Sequence, residues 1–461
     1  MLQWMDWFAG AGGSSQGLHI VPGCEVILAA NHWSLALASH ASNFPGARHE
    51  IGDIRELPVH NWPVAEAFWA SPECKQWTNA RGKAADYAST QTTLPGLEDE
   101  VDEKAERSRA LMWDIPKYLE GVQRRGQLVL VGVVENVIEA RNGRDWDRWI
   151  RSLHKLRYRT KLVAFNSAHA QRTRSLAAPQ SRDRLYLVYW HISLGRDPNF
   201  DKWLRPQAHC QVCDRTVDAI QVFKNPRRDM GRYGQSYLYR CPSTTCRNAE
   251  VIPEVLSALT AIDTTIPAPL IGDRPKTKTK PQGLAPNTIN RVLAGMHAFW
   301  QPLLTAGTPG ALPPFLIPLR GGGDKDRAIA ATEPLRTVSA EGNHHGFVPA
   351  PHLLLPYYSN SAATTAQAPL GALSTHDRYA LMAPALDLDA VPFRMLQARE
   401  VGRGMAFGTD YIVLGKPAQQ VMQYGNAVTP PVAELLASCL LEAVTGEQLE
   451  RDPRPNMRLA A

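Results

Sequence analysis

The chain predicts an α/β fold: a doubly wound, mostly parallel sheet with a smaller, irregular domain after it. Three observations carry that reading. Over the first 190 residues short apolar runs alternate with helical patterns, and parallel strands need such crossovers. A glycine-rich turn, FAGAGGSSQG, separates the first apolar run from the first helical pattern. Near His191 the texture changes, and as far as about Ala390 the chain is rich in Pro and Gly with weak periodicity.

In chain order, MLQWMDWF reads as a first strand entering the turn and VILAAN as a second. A helix follows from Ser34 to Asn43, then AEAFWAS, an apolar strand. A long helix is expected near Asp102 to Arg124, and LVLVGVVEN reads as a buried strand. Another helix near Trp146 to Leu156 leads into RLYLVYW, the last strand. These elements define a first domain over 1–190, an irregular region over 191–390 and a C-terminal return over 391–445. A charged, Pro-containing tail over 446–461 is expected to fray. Within the irregular region EPLRTVSAEGNHHGFV and APLGALSTHDRYALM share a Pro-Leu start and a hydrophobic end. Two copies are too few for a solenoid, so they read as related strand-and-turn units.

The 461 residues are 44% hydrophobic and 20% charged, ordinary globular values. A net charge of +6 permits a polyanionic partner without demanding one. No basic segment precedes an apolar stretch at the N-terminus, and no run of eighteen apolar residues occurs. Neither secretion nor a membrane partner is therefore expected, and a cytoplasmic location is. Of the seven cysteines, four cluster between 210 and 246 and three stand alone. An odd count of this kind argues for metal and catalysis over a disulfide frame. The basic stretch GDRPKTKTKPQ reads as a solvated linker, with a DNA-contacting arm as the alternative.

Several residues carry chemistry. Glycines in the first turn let the backbone approach a ligand closely, at the carboxyl end of a strand where α/β sheets bind ligands. Asn31 stands where a ribose-binding carboxylate is expected, and Asp53 in GDI can accept from an adenine amino group or cap a turn. In SPECKQWT, Pro72 stiffens the turn after a strand and Cys74 is presented at the sheet edge. A lone cysteine is more often an inert core residue, but the polar neighbours of Cys74 favour a nucleophile, with a polar lid reaching to about Pro95. Glu135 closes a buried strand, a costly place for an acid without a partner or a role. Arg182 and Arg184 alternate and so share a face. Cys210 and Cys213 form a C-x2-C pair, and Cys241 and Cys246 a C-x4-C pair after 27 intervening residues. Two such knuckles suit structural zinc; free thiols, or completion by His209, are the alternatives. The intervening NPRRDMGRYGQSYLYR has four arginines and three tyrosines, a mix suited to nucleic-acid backbone.

Taken in order, DWFAGAGGSSQG, GDI, SPEC, ENV, QSRDR, RMLQARE and QYGNAVTPP resemble the blocks of the DNA (cytosine-5)-methyltransferase family. They frame residues 6–190 and about 391–436, and the middle third is left as the variable target-recognition region carrying the zinc candidate at 205–250. The resemblance implies S-adenosylmethionine as methyl donor, double-stranded DNA as partner, a monomer, and a setting such as restriction-modification. It implies that Phe8, Gly10, Gly12, Asn31, Asp53, Pro72 and Asn426 surround the cofactor or support the site. Cys74 would attack carbon 6 of a flipped cytosine, Glu135 would meet ring nitrogen 3, and Arg182 and Arg184 would hold the carbonyl and nearby anions. This chain departs from the family at Glu73 and Lys75, which flank the nucleophile, and at Asn31. Those departures keep a different one-carbon donor, or a silent DNA-binding relative, as the alternatives.

Overall fold

A computed structural model describes residues 1–72, 103–305, 312–319, 328–338, 345–349, 353–356, 364–365, 379–382 and 387–452. Two compact units divide them. The first comprises 1–256, 336–342 and 401–461, and the second 257–335 and 343–400. The Cys-rich segment therefore belongs to the first unit, and the compact units part at 256 and 400 where changes of texture suggested 190 and 390.

The first unit is built on seven strands. In chain order they are β1 (Leu2–Trp7), β2 (Cys24–Asn31), β3 (Arg48–Ile51), β4 (Ala67–Ala70), β5 (Val131–Asn136), β6 (Tyr158–Asn166) and, after the two-residue β7 (Gln180–Ser181), β8 (Asp183–His191). Their spatial order is β3-β2-β1-β4-β5-β8-β6. The pairings from β3 across to β5 are parallel. β8 runs antiparallel between β5 and β6. The strand order reverses at β1 and β4, and ligands of open α/β sheets bind outside the carboxyl ends of strands at such a reversal.

Alternation along the strands feeds two cores. Met5 and Trp7 of β1, Phe68 and Ala70 of β4, and Leu185, Leu187 and Tyr189 of β8 pack on one face with Ile115, Leu119 and Val122 of the helix Glu103–Arg124. Trp4, Trp69, Tyr186, Val188 and Trp190 pack on the other with Val432, Leu436 and Leu440. Both faces are buried, so these strands read as nearly continuous apolar runs.

The second face is closed by the C-terminal helix Pro430–Thr445. Its approach to helix α1 (Gly13–His19) is close enough that only glycine fits: a Cβ on Gly17 would stand 2.2 Å from the carbonyl oxygen of Pro430. Gly17→Ala is expected to destabilise the protein by about 1–3 kcal/mol, since the obstacle is backbone that cannot rotate away. A urea midpoint equal to that of the unsubstituted protein would refute this contact. Among the described residues one helical stretch, Pro417–Thr445, is long and apolar enough to cross a membrane, and 94% of its most apolar window is buried within the fold. Residues 446–452, expected to fray, are docked. Arg451 is 7% exposed and donates to the carbonyls of Gln171, Lys202 and Arg205. Residues 453–461 lie outside the described residues.

The second unit has its own core of Ile271, Val292, Met296, Trp300, Phe315, Ile317 and Phe393 around the antiparallel strands Phe315–Pro318 and His345–Val348. The RMLQARE block contributes a buried ion pair there. Arg394 binds Glu400 through two bonds of 2.8 Å, with Glu400 fully buried. The second repeat, from Ala368, falls largely outside the described residues. The basic stretch 272–282 is largely exposed, as a solvated linker would be.

Candidate functional site

The carboxyl ends of β1 to β5 bring most of the expected residues to one edge of the first unit. Directly after β1 the backbone of Phe8 takes a φ of 61° and that of Gly10 57°, so the chain turns within a few residues of the strand. Space above Gly10 is open: a Cβ added there would meet nothing within 4 Å. Gly12 caps α1 at a φ of 97°. At the end of β2 the Asn31 side chain accepts from the Trp33 N–H at 2.8 Å and is itself buried. Its oxygen serves the turn, so the exposed His32 is the next side chain at that strand end, a residue the sequence reading passed over. After β3, Asp53 accepts from the Arg55 backbone at 3.1 Å and pairs with the Arg55 guanidinium at 3.3 Å, the capping role. A cavity of about 490 Å³ lies alongside, lined by Trp7, Ile54, Arg55, Tyr118 and Arg125 among others; Phe8, Asn31 and Asp53 do not line it.

Beneath the glycine turn lies a polar chain that sequence reasoning missed. Asp6 is fully buried and accepts from Ser14 at 2.6 Å and Ser15 at 2.7 Å. Ser15 meets His40 at 2.9 Å, and His40 meets His49 at 2.8 Å. Burial pushes the Asp6 carboxyl up to about 7 despite the two serines, and burial beside His49 pushes His40 down to about 3. The signs oppose each other. A carboxyl raised in the fold binds a proton that the unfolded chain has lost, so its contribution favours folding at low pH and fades between about 4 and about 7. An imidazole lowered in the fold adds stability as pH rises toward its unfolded value, roughly 6.5. Asp6→Asn removes the first contribution and leaves the second. Its stability is therefore expected to climb more steeply from pH 5 to about pH 7 than that of the parent, measured by urea midpoints. A parallel pair of curves would contradict that.

At the end of β4, Pro72 is buried and its carbonyl accepts from the Asn136 side chain at 3.4 Å. Cys74, with Glu73, Lys75 and the expected lid, lies outside the described residues. On the neighbouring strand end Glu135 is 8% exposed and pairs with Arg184 Nε at 3.2 Å. Burial raises its carboxyl above the ordinary range, while Arg184, Arg182 and the Ser71 hydroxyl pull the other way. The acid closing a buried strand thus has both a partner and a serine from the strand leading to Cys74.

Arg182 and Arg184, expected to share a face, both lie close enough to Glu135 for their charge to lower its carboxyl, but they bond to different partners. Arg182 precedes β8 and is 3% exposed, and its guanidinium donates to the carbonyls of Val338 at 2.8 Å and of Gly425 and Ala427 at 3.0 Å each. It holds the returning C-terminal chain, because the buried carbonyls at the end of the helix Pro417–Asn426, and that of Val338, need a donor. Arg184 pairs with Glu135 through Nε. Asn426, between the two carbonyls that Arg182 holds, has an exposed side chain at the end of the helix Pro417–Asn426.

The four cysteines converge. Cys210 ends the strand Gln207–Cys210, Cys213 lies in the turn after it, Cys241 follows the strand Tyr237–Arg240, and Cys246 lies five residues on. All four sulfurs lie within 4.8 Å of one another, with Cys210–Cys246 at 3.9 Å and Cys213–Cys241 at 3.8 Å. Tetrahedral bonds of roughly 2.3 Å to one zinc ion would set sulfurs about 3.8 Å apart. His209 is 49% exposed and pairs with Asp214, apart from this cluster.

The sequence matches the C-5 cytosine-specific DNA methylase family over residues 2–211. The type II methyltransferase M1.ScrFI of Lactococcus lactis subsp. cremoris is 22% identical over 184 residues, 40% of this chain, and the match spans 40% of that relative's own length. Among solved structures, Dnmt2 of S. pombe aligns with 96% of this chain and 100% of its own at 12% identity and a TM-score of 0.49. The Entamoeba histolytica methyltransferase EhMeth aligns with 98% of this chain and 99% of its own, at 12% identity and a TM-score of 0.47. Residues 2–211, which carry the seven-stranded sheet, are thus similar to the C-5 cytosine-specific DNA methylase family.

Proposed function

We propose that this protein transfers a methyl group from S-adenosylmethionine to carbon 5 of cytosine in double-stranded DNA, with Cys74 as nucleophile on a base swung out of the helix. The observation that carries the reading is the buried Glu135–Arg184 pair beside Ser71. In sequence Cys74 follows three residues after that serine. The turn after β1, open at Gly10, with Asn31, His32 and Asp53 at the adjoining strand ends, fits a nucleoside-bearing cofactor at the fold's reversal point. Bound there, S-adenosylmethionine supplies an electrophilic methyl group.

Carbon 5 of cytosine is a poor nucleophile until the ring loses its aromaticity. The Cys74 thiolate forms a bond to carbon 6, and the ring electrons move toward nitrogen 3, which takes a proton from Glu135. A carboxyl whose proton is held by burial suits that donation. Arg184, beside it, faces the ring carbonyl. Carbon 5 then takes the methyl group, its own proton leaves to solvent, the carbon–sulfur bond breaks, and nitrogen 3 returns its proton to Glu135. Arg182 acts at one remove by holding the 425–427 turn. The shielded ring edge requires the base to leave the stack, at a cost of a few kcal/mol, roughly, that contacts in the pocket offset.

Cys210, Cys213, Cys241 and Cys246 would hold a structural zinc ion, four thiolates leaving no open position for catalysis. Lys224, Arg227 and Arg228, exposed on the same module, add positive charge suited to phosphates. The target-recognition role falls in this reading to the region 191–390, and the relative's type II designation suits a restriction-modification setting. Incubation with methyl-labelled cofactor and duplex DNA, digestion to nucleosides and identification of the product by mass tests the proposal. 5-Methylcytosine is expected. A heavier one-carbon substituent, or label on another base, would refute it.

A further inference from the structure

The segment between the two cysteine pairs does more than connect them. Tyr233 donates its backbone N–H to Asp183 Oδ1 at 3.0 Å, and the Tyr237 hydroxyl donates to the same oxygen at 3.3 Å. The carbonyl of Asp183 accepts from Arg184 Nη1 at 3.0 Å, and Arg184 Nε lies 3.2 Å from Glu135. Two further ties reach the segment after β5: Arg232 pairs with Glu139 at 2.5 Å, and Asp229 takes both Nε and Nη2 of Arg141 at 3.1 Å. Beyond β6, His169 packs edge-on against Tyr233 at 4.5 Å and Tyr239 at 5.1 Å. Every tie meets the edge of the sheet that carries Glu135 and Arg184, and all of these residues belong to one compact unit.

We infer that Asp183 is a positioning residue through which the four-cysteine module holds Arg184 against Glu135, coupling metal occupancy to the catalytic pair. The inference rests on the proposed function for what the pair does, but the coupling itself is a property of the fold. Tyr233 and Tyr237 stand between Cys213 and Cys241, so their placement depends on both knuckles being closed. The carboxylate of Asp183 is the acceptor that two module donors share, and its loss leaves them without it.

The test reads the Glu135 carboxyl directly. Glu135 faces Arg184 and Arg182, with Tyr186 and the Ser71 hydroxyl beside it. If Arg184 loosens, the carboxyl loses the nearest charge that lowers its pKa, so it titrates higher. In protein with 13C-labelled glutamate carboxyls, the Glu135 resonance is identified by its loss in Glu135→Gln. It is then followed against pH in the zinc-loaded parent, Asp183→Ala and Asp183→Asn, with zinc content measured for each. Asp183→Ala is expected to titrate about one pH unit higher, and Asp183→Asn, which still accepts from both donors, close to the parent. Zinc-free parent should move in the direction of Asp183→Ala. An Asp183→Ala protein that keeps its zinc and titrates like the parent would overturn the inference. Should that variant lose its metal, Tyr237→Phe removes one donor alone, and an unmoved titration there overturns it equally. DNA methylation is assayed separately, so its absence in the parent would count against the proposed reaction and leave the titration to judge the coupling.

Discussion

Cys74→Ser is expected to lower turnover by at least about 10³-fold while leaving cofactor affinity within twofold or so of the parent. The reason lies in ionisation. An ordinary thiol titrates near roughly 8.5, so an appreciable fraction is thiolate at neutral pH, whereas an alcohol is essentially never ionised there. Without a thiolate, carbon 6 is not attacked and carbon 5 stays inert. The residues proposed to line the cofactor, from Phe8 to Asp53, stand on other strand ends, so binding of S-adenosylmethionine should survive. Single-turnover transfer of a labelled methyl group gives the rate, and equilibrium binding gives the affinity. Activity within tenfold or so of the parent would remove Cys74 from the reaction.

The second large effect is on the module. Serine at Cys241 or Cys246 is expected to abolish stoichiometric zinc binding and to cost at least about 3 kcal/mol, a fall in melting temperature of roughly 4 °C. The fold need not be lost outright, because the module shares a core with the sheet: Ala208, Tyr237 and Val251 pack in the same cluster as Met5 and Leu187. Serine at Cys24 or Cys439 provides the contrast, since both thiols are buried away from the cluster and should leave metal content alone. Full zinc retention by Cys241→Ser would contradict the assignment.

Much of the first unit was legible because buried parallel strands write themselves as apolar runs. The helix Ser34–Asn43 has the expected bounds, and β5 and β8 lie within or one residue beyond theirs. Two strands of the seven-stranded sheet were missed, β3 and β6, and both lie at its edges. Edge strands carry charge on their open side: Arg159 and Lys161 interrupt the pattern of β6, and Arg48 and Glu50 that of β3. Sequence spacing also brought the four cysteines together correctly, since two short knuckles can close on one point wherever the chain between them leads.

The site was legible in part. Glu135 stood out because a buried strand rarely ends in an acid, and its partner Arg184 was found beside it. Arg182 was also read as facing the site, but its bonds to the returning chain were not foreseen. Its three carbonyl partners come from residues more than 150 positions away, which local spacing cannot reveal. The same holds for the chain from Asp6 to His49, whose members look like isolated polar residues until α1 and the helix Ser34–Asn43 meet over the turn.

The central claim is covalent attack by one sulfur on a cytosine ring. Fluorine at carbon 5 cannot leave as a proton does, so elimination stops after methyl transfer and the adduct persists. Duplex DNA carrying 5-fluorocytosine at target sites, incubated with the protein and S-adenosylmethionine, should yield a complex that survives denaturation, with the DNA attached to the peptide containing Cys74. Attachment at another residue, or 5-methylcytosine formed from ordinary DNA by a protein that never traps the fluorinated base, would contradict the account.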